Sequence, residues 1–174
     1  MEGLRQYFLP YIISNVLFGL SIWAAWKKPM IARIFLAGFF LWAYIINTIT
    51  AIQFPEKYLE YANLSFPGFY RDFINGFFSH HIREIVITIA CGQYLIFLGL
   101  CMKKVLVVLA SLGGMIFGLA IAPLGVGSGF PSTVLMAIAF LLLIRHPAHD
   151  YIWKIHQYEP RIHDAAPNTK AERI

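Results

Sequence analysis

Residues 105–144 read VLVVLASLGGMIFGLAIAPLGVGSGFPSTVLMAIAFLLLI, without a charge from one end to the other. A bilayer core of about 30 Å takes roughly 20 apolar residues in helical form, so this stretch is far too long for one crossing. Its middle, Pro123-Leu-Gly-Val-Gly-Ser-Gly-Phe-Pro131, carries the turn chemistry of Gly and Pro and predicts a helical hairpin. The arms run over about 105–122 and 130–145. The second is short for a full span, which requires the Gly-rich turn to sit among the headgroups or the bilayer to thin there.

Working outward, three more uncharged stretches are bounded by charge: Phe8–Trp26 ending at Lys27-Lys28, Ile34–Phe54 between Arg33 and Glu56, and Ile85–Met102 between Glu84 and Lys103-Lys104. The expectation is an all-α, polytopic transmembrane bundle of five crossings, over about 8–26, 34–54, 85–102, 105–122 and 130–145. It occupies residues 1–146, with a cytoplasmic tail over 147–174. The first span reads as a retained helix and not a cleaved signal: Arg5 is offset by Glu2, no small-x-small cleavage site is well placed, and Lys27-Lys28 suits a stop-transfer flank.

Composition agrees. Of 174 residues 59% are hydrophobic and 13% charged, with a mean hydropathy of +0.64; a soluble domain carries about 45–50% apolar and about 25% charged residues. A soluble enzyme and a disordered tail are both excluded. Placing the N-terminus outside puts Lys27, Lys28, Arg33, Lys103, Lys104, Arg145, Lys154, Arg161, Lys170 and Arg173 in the cytoplasm, against Arg5, Lys57, Arg71 and Arg83 outside. That distribution predicts N-out, C-in in a plasma or inner membrane, and it accounts for the net charge of +5 without a nucleic-acid partner.

The one long connection, residues 55–81, contains Phe66, Phe69, Phe73 and Phe77 at three- and four-residue steps, and Pro67 suits a first helical turn. It predicts an interfacial helix over about 67–78, serving as an aromatic belt or as a lid over a lipid-soluble ligand. Asn63-Leu64-Ser65 matches a glycosylation acceptor, relevant only in a eukaryotic secretory membrane. In the fourth span Ala110, Gly114, Gly118 and Ala122 recur every four residues. This small-residue seam is expected to pack helices within the monomer, with a homo-oligomer face as the alternative.

Polar residues inside spans are costly and therefore informative. Tyr44, Asn47 and Thr50 share a face of the second span. At the outer end of the third stand His80, His81, Arg83 and Glu84, with Thr88 a turn deeper and Gln93 near mid-membrane. The two sets are candidates for an outward-opening ligand pocket: His81 for proton transfer, Arg83 for an anion, Asn47 or Gln93 for a carbonyl. The alternative is interhelical hydrogen bonding with an Arg83–Glu84 pair among the headgroups. Cys91 and Cys101, ten residues apart on one helix, stand about 15 Å apart and cannot pair. His146, His149, His156 and His163 are divided by Pro147 and Pro160, so no metal site is expected from them. There is no nucleophile elbow, P-loop, HExxH pair, CxxCH or Rossmann glycine run, so the residues point to no catalysis and no cofactor.

Residues of about 31–145 resemble the DoxX-like family of small four-helix membrane proteins, with 8–26 as an added helix. The likeness lies in Arg33 opening a helix with Gly38, Phe39 and Phe40, then Pro55, Gly92-Gln-Tyr-Leu-Ile-Phe-Leu-Gly99-Leu, the basic turn at Lys103-Lys104, the small-residue helix, and a Leu-rich closing helix. Where the family shows Gly-x-x-Lys and then a Glu, this chain has Tyr44-x-x-Asn47 and Gln93, a neutral group in each place. The resemblance implies an accessory protein beside a redox or envelope-assembly partner. It also brings into view a quinone-linked oxidoreductase subunit with a quinone between the second and third spans. From the residues themselves the competing expectation is a small-molecule binding or transport bundle.

Overall fold

The computed structural model describes residues 2–65, 68–146 and 151–152. Those residues are helical or in turns, with no strand among them: α1 Glu2–Lys27, α2 Pro29–Gln53, a 3₁₀ segment Pro55–Glu60, α3 Tyr61–Leu64, α4 Gly68–Phe73, a π turn Ile74–Phe78, α5 Ile82–Cys101, α6 Val105–Ile121, a 3₁₀ segment Ala122–Ser128, and α7 Ser132–Arg145. Among the described residues four helices are long and apolar enough to cross a membrane, over Phe8–Lys27, Pro29–Gln53, Ile82–Cys101 and Val105–Ser128. The protein is a membrane protein whose apolar helices meet lipid. With 14 residues, α7 rises only about 21 Å.

Helix α1 lies against α2 and α7, α2 against α5, α5 against α6, and α6 against α7, closing a ring of five. The turns at Lys28 and Met102–Lys104 and the end of α7 share one side, here the basic side. The segments 54–81 and 122–131 share the other, the loop side. On the basic side Arg33, only 3% exposed, donates through Nε to the Leu100 carbonyl and through Nη2 to the Met102 carbonyl. A cation thereby meets the carbonyls left unpaired where α5 ends.

The dense core also sits toward the basic side. Phe40 packs edge-on against Phe117 and Phe140, at 5.7 Å between ring centroids in each pair, and Phe18 against Phe39 at 4.9 Å. Ring and helix can approach because Gly114 faces Phe140, where a Cβ would run into the ring. A Cβ on Gly118 would lie 2.8 Å from the Thr133 carbonyl oxygen. The small residues of α6 thus face two neighbours, Gly114 and Gly118 toward α7 and Ala110 toward Gly99 of α5, while Ala122 opens the 3₁₀ segment that follows.

The hairpin between α6 and α7 is built differently from a plain turn. Helical winding continues through Ala122–Ser128, broken at Gly125 with φ 66°, and Gly129 follows with φ 77°. Side chains rarely adopt these left-handed values, which is why glycine stands at both. In segment 54–81 the winding likewise changes: α4 passes into the π turn with a non-helical Gly76, so residues 68–78 are not one regular helix. The expected start at Pro67, and Phe66, lie outside the described residues, as do His149, His156 and His163.

Candidate functional site: a loop-side cavity open to lipid

The half of the bundle above the phenylalanine core is hollow. A cavity of about 1190 Å³ runs between α1, α2, α5, α6 and α7, from Ile34 and Phe35 at its deep end to Tyr58, Tyr61 and Tyr70 at its roof. Its walls are almost entirely apolar, as in sites for drug-sized organic molecules.

The roof comes from amphipathic segment 68–78. Phe69 and Phe77 point outward, 74% and 61% exposed, while Ile74 and Phe78 are buried beneath. Tyr70 donates to the Ala120 carbonyl at 2.7 Å, fastening the roof to the end of α6. Gly127 lies under the Tyr61 ring, where a Cβ would come within 2.8 Å of Cε1. The segment has two faces: Phe69 and Phe77 point outward, and Tyr70, Ile74 and Phe78 line the cavity.

The side wall is open. Ile13 and Leu17 of α1 and Trp42 and Ile46 of α2 line the cavity, yet they are 48%, 42%, 58% and 43% exposed. Residues that line a cavity and also face outward mark its mouth. The two helices touch near their shared turn, where Phe18 meets Phe35 and Phe39, and diverge toward the loop side. There Asn15 of α1 reaches Gly129 O at 3.4 Å, while Asn47 of α2 leans on α5. The mouth is a slot between apolar side chains.

One hydrogen-bonded chain crosses the far wall. Tyr58 Oη donates to Asn47 Oδ1 at 2.9 Å, and Asn47 Nδ2 donates to Gln93 Oε1 at 2.9 Å. Gln93 is 2% exposed, and all three residues line the cavity. Burial pushes the Tyr58 phenol up to about 12, helped by the neighbouring Tyr61, with a hydrogen bond to Thr50 acting the other way. The phenol therefore stays protonated throughout the physiological range. On the opposite wall Ser14, Ser132 and Thr133 add hydroxyls.

Asn47 and Gln93 are thus the sequence-predicted residues that the fold brings together. Thr50 touches the chain only through Tyr58, and Tyr44 turns aside to the Tyr94 ring at 5.0 Å. His81, Arg83 and Glu84 are exposed and line no part of the cavity. The His81 ring stacks on Phe77 at 4.6 Å, and Arg83 Nη2 reaches the Ile52 carbonyl at 3.5 Å. Helical geometry separates them: nine residues part Glu84 from Gln93, half a revolution. Thr88 hydrogen-bonds the Glu84 carbonyl within its own helix. Both cysteines are free, Cys91 facing outward, and no group of three metal-ligating side chains occurs among the described residues.

Tyr58, Tyr61, Tyr70 and Trp42 escaped the sequence reading. The signal available was the density of Tyr between Pro55 and Tyr70 within an otherwise Phe-rich loop. Comparison with family profiles, with curated proteins and with solved structures finds no match. The DoxX-like resemblance accordingly rests on the residues quoted for it.

Proposed function

We propose that this protein binds a lipid-soluble small molecule within the loop-side cavity and exchanges it with the bilayer through the slot between α1 and α2. The observation that carries this reading is the cavity's asymmetry: Tyr, Ile and Phe side chains cover it toward the loop side, while its mouth is bordered by exposed Ile13, Leu17, Trp42 and Ile46. An apolar guest gains burial inside without crossing water. The topology proposed with it is five crossings, N-out and C-in, which sets the roofed face outside and the basic turns in the cytoplasm. The accessory role beside a membrane partner stands as an alternative on the family resemblance alone.

The test uses the full chain in nanodiscs, with Trp42 as the single tryptophan and a trace brominated long-chain ester as quencher. Saturable quenching of Trp42 is expected. Gly38 supplies the control, because it lines the cavity and a Cβ there meets nothing within 4 Å. Gly38→Leu should fold normally, occupy the space and reduce saturable quenching at least fivefold. Quenching that rises linearly with bromolipid and ignores Gly38→Leu refutes the proposal.

A further inference from the structure

The chain of hydrogen bonds on the far wall has a direction. The Tyr58 hydroxyl sits 2.9 Å from Asn47 Oδ1 and 3.3 Å from the Asn47 main-chain oxygen. The phenol donates to Asn47 Oδ1, and Nδ2 of the same amide faces α5. Nδ2 then takes Gln93 Oε1 as its acceptor. Each side-chain oxygen of the chain accepts one hydrogen bond, and the chain ends in the Nε2 amide group of Gln93, which has no protein acceptor among the described residues. Because Gln93 lines the cavity, this amide is a donor presented to whatever fills it.

We infer that the guest of the cavity is a neutral amphiphile with a carbonyl-type oxygen at its polar end, which accepts a hydrogen bond from Gln93 Nε2. The inference rests on the binding function proposed above and specifies its substrate class. A neutral head suits the site because Tyr58, Asn47 and Gln93 are all uncharged, and among the described residues no Lys, Arg, His, Asp or Glu lines the cavity. An acceptor head suits it because the chain ends in a donor. The apolar walls and lateral mouth then hold an alkyl or isoprenoid body.

The experiment compares two probes of equal length, heptadecane and heptadecan-2-one labelled with ¹³C at the carbonyl, on the full chain in nanodiscs. Wild type should hold the ketone about tenfold more tightly than the alkane, worth about 1.4 kcal/mol, and the labelled carbonyl band should move to lower wavenumber on binding. Gln93→Leu, similar in size and lacking the donor, should bring the ketone down to the affinity that the same variant shows for the alkane and abolish the band shift. Equal affinities for the two probes on wild type, or a band shift that survives Gln93→Leu, overturns the inference while leaving the cavity's binding role standing. Saturable binding of neither probe overturns both. The wild-type comparison decides the matter even if Gln93→Leu fails to fold.

Discussion

Arg33 is the most consequential single side chain on the basic side. Buried at the start of α2, it satisfies two main-chain oxygens where α5 ends, and so ties α2 to α5. Arg33→Met should lower stability by about 2–4 kcal/mol, since two carbonyls lose a charged donor. Arg33→Lys should restore less than half, because one ammonium does not reproduce the guanidinium fork; unfolding titration in mixed micelles measures both. Tyr58 makes the second residue-scale prediction. Its phenol holds its proton up to about pH 12 in the folded protein and to about 10 when unfolded, so the folded state binds more protons between those values. Stability should be flat below about pH 10 and fall from there to about 12. In Tyr58→Phe that component of the fall should vanish, as alkaline unfolding curves of the two proteins will show.

At the scale of elements, the contact of α6 with α7 depends on missing side chains. Gly114→Val drives a branched side chain into the Phe140 ring, and Gly118→Val does the same against the Thr133 main chain. Each should cost about 1–3 kcal/mol or more. Gly92→Ala, where a Cβ meets nothing within 4 Å, should be neutral or slightly stabilising; thermal melts of the three variants side by side make the comparison. The stripe of α5 formed by Val86, Ala90 and Gln93 is buried and legible from spacing alone. That Asn47 would reach Gln93 was one of two outcomes the residues allowed. Which residues of segment 54–81 look inward was not legible, because the changes of winding at Ile74 and Gly76 break the periodicity such a reading relies on.

For the whole molecule, the short α7 and the kinked segment before it set a mismatch with the bilayer. Its 14 residues cover about 21 Å, against roughly 20 or more residues in each candidate span. The protein should therefore unfold at higher temperature in bilayers with 14-carbon chains than in those with 22-carbon chains, since each ångström of mismatch costs a fraction of a kcal/mol. Stability that is equal or rises with chain length would show that α7 is not held across the full bilayer. The hollow loop-side half matters here as well: a guest that fills it should raise the melting temperature in proportion to the logarithm of its concentration.

The sequence by itself determined that this chain lives in a membrane and where its long apolar helices lie, although α1 begins at Glu2 and α2 at Pro29, ahead of the uncharged stretches that marked them. Runs of uncharged residues bounded by Lys, Arg and Glu carry that information locally, through the cost of placing charge in hydrocarbon. It also marked Asn47 and Gln93, because a polar group in such a run stands out against its neighbours. Only the tertiary structure decided that His81, Arg83 and Glu84 lie apart from them, that Tyr58 and not Tyr44 completes the chain, and that α1 and α2 spread to leave an open-sided cavity. Those outcomes depend on how five helices rotate and tilt against one another. That is set by ring-against-glycine packing at Gly114 and by carbonyl capping at Arg33, contacts between residues far apart in the chain.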